Sequence, residues 1–314
     1  MRFLVIALSL FVFGCSSLFQ RNQSRSAPAA QPAPVVSQPA PVRGTTQPVR
    51  RRVLVLPVLD TQLNRSEQLR VQARNVVVSQ LAGTGRFVIM RNQDFPEEFS
   101  KYLTEEYEYN LEEVSKVASK MGVSAVIEGK ILNIGARRSG DRRGLIRSVQ
   151  VEADAVVRIR MASAKNGRII LEDVRRASVT TETRQIADGQ VTDRRLENDP
   201  RVIEQSVSKA FSMTLGELVR AVEKISWEGR VALVNGDRIY VNAGRLSGIQ
   251  VGDVLKITEP GQEVFDPDTG LFIGRAPGRT KGTIEVVSYF GKDGAIAVVH
   301  SGSGFKENDR VELY

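Results

Sequence analysis

Apolar runs of strand length alternate with helical stripes along most of this chain. Residues 53–59, VLVLPVL, read as a buried strand closed by Asp60, with Pro57 demoting only its far end. From 65 to 82 the period becomes helical. Leu69, Ala73, Val76, Val77 and Leu81 share one face, and Gly83 suits the first position past the helix. FVIM at 87–90 predicts a second short strand. Asn110 and Glu113 predict an N-cap and its partner for a helix striped by Leu111, Val114, Val117, Ala118 and Met121 and ended by Gly122. Residues 123–127 follow as a strand running on toward Ile134. Two long strand-like segments, 148–162 and 168–180, flank a hairpin turn at Asn166-Gly167. One long helix is expected over 200–225, with Asp199 as cap, Pro200 in its first turn, and Ile203, Val207, Ala210, Phe211, Leu218, Ala221 and Val222 inward.

After Trp227 the helical period disappears, leaving short strands and glycines. Residues 248–257 (GIQVGDVLKI) are echoed by 304–313 (GFKENDRVEL). Each has a glycine, an apolar residue, a turn carrying Asp253 or Asp309, and then an alternating strand. That predicts a small antiparallel barrel using one turn twice. The expected fold is α+β: a mixed sheet with packed helices over 52–226, then a small β-barrel domain over 227–314.

The first fifty residues follow other rules. Met1-Arg2 precedes an apolar run from 3 to 13, broken only by Ser9. Eleven helical residues rise roughly 16 Å, about half a hydrocarbon core, so the run suits a signal peptide over 1–14 and not a membrane span. Val12-Phe13-Gly14-Cys15 resembles the lipobox of bacterial lipoproteins, with Phe13 bulkier than the usual residue there. The resemblance implies cleavage before Cys15 and lipid attachment to it, and Ser16 in place of aspartate implies the outer membrane. An ordinary secretory signal with a chance cysteine is the alternative. Cys15 is the only cysteine, so no disulfide forms within one chain.

Residues 15–51 predict a disordered, proline-rich tether. Six of the twelve prolines lie there, and the 36 residues from Ser16 to Arg51 reach on the order of 110 Å when extended at ~3.1 Å each. The tether and Arg52 hold Arg21, Arg25, Arg43, Arg50, Arg51 and Arg52 and no acidic residue. Taking these and Arg2 from the net charge of +8 leaves +1 for 53–314. The high isoelectric point therefore belongs to the tail, and a nucleic-acid footprint on the globular part is not expected.

Residues 53–60 (VLVLPVLD), 86–91 (RFVIMR), 110–131 (NLEEVSKVASKMGVSAVIEGKI), 156–170 (VVRIRMASAKNGRII) and 198–211 (NDPRVIEQSVSKAF) together resemble the periplasmic α/β domain of CsgG, the curli-secretion lipoprotein. That fold is shared with the N-terminal domain of TolB, the peptidoglycan-synthase activator LpoB and the middle domain of the flagellar protein FlgT. The stretch 241–257, with DPDTG after it, is similar to the C-terminal domain of FlgT. These resemblances imply a lipid-anchored protein on the periplasmic face of the outer membrane. They imply work with protein partners of an envelope assembly, flagellar basal-body-like, and a homo-oligomeric ring as one form of it. A CsgG-class secretion component and an LpoB-like activator of cell-wall synthesis are the alternatives.

Catalytic patterns do not assemble. His300 is the only histidine, so a zinc site of the usual type and a Ser-His-Asp triad both lack members, and His300 reads as an ordinary strand residue. Asp266-Pro267-Asp268-Thr269-Gly270 reads as a hairpin turn and not a calcium loop. No enzyme activity, metal, cofactor, small-molecule substrate or nucleic acid is expected. The dibasic pairs Arg137, Arg138 and Arg142, Arg143 are candidate partner-binding residues, and the bland alternative is a solvated loop. In CsgG the corresponding intervals cross the outer membrane, which takes about 9–11 residues with apolar side chains on alternate positions. Residues 135–150 and 175–196 offer no such face.

Overall fold

The structure is a computed structural model that describes residues 48–140, 146–186 and 200–314. It opens with a five-stranded main sheet in the order β3-β1-β4-β5-β6: β3 (Phe87–Met90), β1 (Arg51–Val55), β4 (Ala125–Gly140), β5 (Ile146–Ser163) and β6 (Ile169–Ile186). A short β2 (Leu59–Asp60) joins β4 beyond the end of β1, so the expected strand 53–59 is broken at Leu56–Val58. Strands β3, β1 and β4 are parallel, and β4, β5 and β6 are antiparallel.

Alternation along β1 and β4 separates two cores. Val53, Val55, Ala125 and Ile127 face one side, where α1 (Glu67–Gly83), α3 (Pro200–Ser212) and α4 (Leu215–Glu223) cover them. Leu54 and Val126 face the other side, beneath α2 (Leu111–Lys120) and the irregular segment that precedes it. A fully buried leucine or isoleucine is worth about 1.5–3 kcal/mol, so these strands hold the fold from both faces.

Several helix ends differ from expectation. Helix α1 runs through Gly83, and the left-handed residue after it is Gly85, φ 67°. The N-cap of α2 is as expected, since Asn110 Oδ1 accepts the Glu113 N–H at 3.2 Å. The single helix over 200–225 is instead two, broken at Met213–Thr214. Buried Thr214 donates its hydroxyl to the Phe211 carbonyl at 2.7 Å, a local bond that competes with the helical ladder. Asp199 lies outside the described residues.

Residues from 228 onward form a closed antiparallel barrel, β12-β13-β8-β7-β14-β9: β7 (Glu228–Asn235), β8 (Arg238–Val241), β9 (Val254–Thr258), β12 (Thr280–Phe290), β13 (Gly294–Gly302) and β14 (Arg310–Leu313). The repeated turn is real in three dimensions. Gly252 (φ 91°) and Asn308 (φ 68°) are left-handed at equivalent places, and Asp253 and Asp309 each accept the N–H three residues back, from Gln250 and Lys306, at 2.7 Å. The strands that follow, β9 and β14, pair antiparallel with each other. A hairpin of β10 (Glu263–Phe265) and β11 (Phe272–Arg275) stands outside the barrel. Its turn is the expected one, with Asp266 Oδ1 accepting the Asp268 and Thr269 N–H groups at 3.0 and 2.8 Å.

Candidate functional site

Chain order makes β1 a switch point. The connection from β1 through α1 to β3 covers one face of the sheet, and the connection from β3 through α2 to β4 covers the other. Beyond the carboxyl ends of β1 and β3 the two connections leave in opposite directions. A crevice therefore opens there, the position where open α/β sheets bind ligands. It has a volume of about 690 Å³, within the usual range of about 300–1,000 Å³ for ligand sites.

Its floor is the chain after β1, Pro57 to Leu59. Across the base, Arg74 of α1 donates from Nε to the Val55 carbonyl at 3.0 Å and from Nη2 to Asn92 Oδ1 at 2.7 Å, tying the two strand ends together. One wall is the start of α1, with Glu67 and Arg70. The other is the aromatic segment 95–109, with Phe99, Leu103 and Tyr107 half-buried at the surface and Phe95 and Tyr109 buried behind them. Phe95 stacks on Phe99 at 4.8 Å, and Tyr102 meets Phe95 edge-on at 6.0 Å. Tyr107 is left-handed, φ 53°, a strained conformation for a bulky residue.

An ion network fastens that aromatic segment to the sheet. Glu128 of β4 is fully buried, and Arg160 of β5 grips it at both oxygens, 2.9 and 2.7 Å. Glu128 also accepts the Tyr109 N–H at 2.9 Å. Glu108 completes the group against Arg158, Arg160 (2.9 Å) and Lys130 (3.4 Å). Burial raises the proton affinity of the Glu108 carboxyl, but Arg158, Arg160 and Lys130 outweigh it and hold that carboxyl below its ordinary value. Burial pushes the Tyr109 phenol up. Leaving one member of such a buried group unpaired costs about 3–5 kcal/mol, so the network positions 107–109 rigidly.

The α/β domain and the barrel lock through two arginines. Arg52 donates to the carbonyls of Met121 (3.0 Å) and Asn242 (2.7 Å) and pairs with Asp293 at 3.2 Å. Asp293 in turn accepts the N–H groups of Gly244 and Ser247. From the barrel side, Arg230 Nε donates to the Ser119 carbonyl at the end of α2 at 2.9 Å.

The sequence-predicted residues fall elsewhere. Arg137 and Arg138 lie within strand β4, not in a loop: the β4–β5 ladder continues as far as Gly140, pairing Arg137 with Glu152. Arg137 is exposed, while Arg142 and Arg143, like Cys15, Arg194 and Arg195, lie outside the described residues. Arg175 and Arg176, also in strand, pair with Asp173 and Asp154. His300 is an exposed strand residue whose Nδ1 meets the Thr283 hydroxyl at 3.0 Å. Sequence reading missed the crevice and the ion network, although the network left a signal. Glu128 and Lys130 on one strand, and Arg158 and Arg160 on the next, are charges at alternate positions of largely apolar strands, with Glu128 opposite Arg160.

No family model matches the chain, and no curated protein matches it. Among solved structures, the hypothetical protein CT253 from Chlamydia trachomatis is 14% identical, with 55% of this chain and 98% of that one covered and a TM-score of 0.34. Lipoprotein GNA1162 from Neisseria meningitidis is 11% identical, covering 55% and 98%, at 0.24. The LpoB C-terminal domain from Salmonella enterica is 12% identical, covering 44% and 86%, at 0.24. The neighbours are thus bacterial proteins, lipoproteins among them. At TM-scores below 0.5 they carry no inference about what this chain does. Among the described residues no helix is long and apolar enough to cross a membrane, which says nothing about strands.

Proposed function

We propose that this chain is an outer-membrane-anchored periplasmic lipoprotein that works as a non-enzymatic scaffold, presenting docking surfaces to an envelope assembly. The observation that supports the reading best is the junction of the two domains. Arg52 and Arg230 bond to backbone carbonyls across it, so the crevice on one domain and the exposed hairpin on the other are held in a fixed relation. A surface-recognition protein needs that rigidity. The CsgG-like and FlgT-like character of the two domains, a ring assembly, and a flagellar-type partner belong to the same proposal. Anchoring is tested at Cys15. Cys15→Ser is expected to leave an unprocessed precursor that no longer takes up a fatty-acid analogue; normal labelling of the variant overturns the lipid assignment.

Docking through basic residues is tested separately. Arg137, Arg138, Arg142 and Arg143 replaced together by Ser are expected to leave stability within about 1 kcal/mol, since exposed charges contribute little. Capture of partners by crosslinking in intact envelopes is expected to fall as it does when salt is raised. Equal capture at low and high salt returns these arginines to the role of a solvated surface. A CsgG-class channel is the competing reading. The visible part of the β4–β5 ribbon speaks against it, because Arg137 sits directly opposite Glu152 where a lipid-facing strand needs apolar side chains.

A further inference from the structure

We propose that the crevice beyond β1 and β3 is a docking site for a proline-rich, arginine-bearing segment, and that the segment it takes is residues 31–43 of a neighbouring copy of this chain. The proposal goes beyond the scaffold reading and does not depend on lipid attachment. Three features of the crevice select the chemistry. Its wall of Phe99, Leu103 and Tyr107 is aromatic and apolar yet open, the kind of surface that takes a polyproline II strand, which arrives preformed and loses little entropy. Its rim is acidic, with Glu67, Glu97 and Glu98 against Arg70 and Lys101, the latter paired with Glu97 at 3.7 Å. Tyr107 is kept in a strained left-handed backbone, which the ion network beneath it sustains.

The complementary chemistry is in the same sequence. Residues 31–43 read QPAPVVSQPAPVR, in which QPAPV occurs twice and Arg43 closes the second repeat. The tether has arginines and no carboxylate, opposite to the rim. Two recognition units in tandem raise the effective concentration of the second once the first is bound. The described residues begin at Pro48, whose carbonyl lies against Gly248 of the barrel, and the Arg50 N–H donates to the Ser247 carbonyl at 2.8 Å. This root is at the amino end of β1, whereas the crevice opens past its carboxyl end. To enter the crevice of its own copy, a chain rooted there would have to turn back along the whole of β1. Thirteen residues extend roughly 40 Å, and the whole tether on the order of 100 Å, enough to reach a neighbour's crevice.

The test uses the full chain in detergent, in two differently tagged populations. One carries the photo-crosslinker benzoylphenylalanine in place of Val36. The expected products join the two tags and map to residues 92–109 of the probe-free copy. Their yield is expected to fall about tenfold with Glu97→Lys and Glu98→Lys together, and to return when Arg43→Glu is added to the probe-bearing copy. Pro39→Gly with Pro41→Gly, which leaves the crevice residues unchanged, is expected to lower it as well. Unchanged circular-dichroism melting of the Glu97→Lys, Glu98→Lys protein separates lost docking from lost folding. Crosslinks confined to the copy that bears the probe, crosslinks mapping away from the crevice, or a yield indifferent to the charge reversal each overturn the proposal.

Discussion

At the scale of single residues, one cluster gathers five charges between β4, β5 and the segment before α2. Glu108 and Glu128 there meet three cations, Lys130, Arg158 and Arg160, on the face of the sheet that α2 leaves open, and their hydrogen bonds fix the backbone at Tyr109. The consequence for pH follows from Glu108. Its carboxyl is below its ordinary value in the folded protein and returns to about 4.3 when unfolded. A depressed folded value means that the unfolded state binds the proton more tightly. The stability contributed by Glu108 is therefore full at neutral pH and is lost as pH falls through the folded value. Thermal melts of wild type and Glu108→Gln are expected to differ clearly at pH 7 and to converge as pH falls through the folded value. A gap that persists unchanged into acid means that Glu108 acts through packing and not through its charge.

At the scale of elements, the turn that ends α2 serves two ends at once. Gly122 has φ 72°, and a Cβ there meets Asn242 Nδ2 at 2.8 Å across the domain junction. Gly122→Ala is expected to cost about 1–2 kcal/mol from the left-handed backbone alone, with the clash added to it, in urea unfolding. A cost below about 0.5 kcal/mol means that the junction yields freely. This glycine, the Asn110 cap, the Asn166-Gly167 hairpin and the doubled barrel turn were all legible in the sequence, because each is a local demand that a few adjacent residues meet. The break between α3 and α4 was not. The apolar stripe stays in phase from Val207 to Val222, so periodicity reads straight through Thr214, where the ladder gives way to a tighter bond from the Thr214 N–H to the Phe211 carbonyl. Nor was the crevice legible, since Pro57, Arg70, Asn92 and Tyr107 meet only because successive connections cross opposite faces of the sheet. That Arg137 and Arg138 lie in strand was hidden for a related reason. Charge marks exposure, and in an antiparallel ribbon an exposed residue is as often strand as loop.

At the scale of the whole molecule, the scaffold reading stands on how the two domains are joined. Helix α4 ends at Glu223 and β7 starts at Glu228, so the covalent link is four residues long, too little to set an orientation by itself. Orientation comes instead from bonds across the junction: Arg52 to the Asn242 carbonyl and Arg230 to the Ser119 carbonyl, with the Arg50 N–H on the Ser247 carbonyl and Lys165 paired with Glu228 beside them. Main-chain acceptors have no rotamers, so these bonds tolerate little rotation. Methionine keeps much of the aliphatic volume of arginine and none of its donors. Arg52→Met with Arg230→Met is therefore expected to leave both cores folded while freeing the junction. Proteolytic cleavage within 224–227 should quicken by roughly an order of magnitude, as a local opening about 1.4 kcal/mol cheaper would give. Far-ultraviolet circular dichroism should be unchanged. If rigid presentation is what the protein contributes, this variant should lose its cellular role while Cys15 is still acylated and the crevice still intact. A doubly substituted protein that resists cleavage like wild type, or one that is cleaved quickly yet works normally in cells, removes the junction as the basis of function.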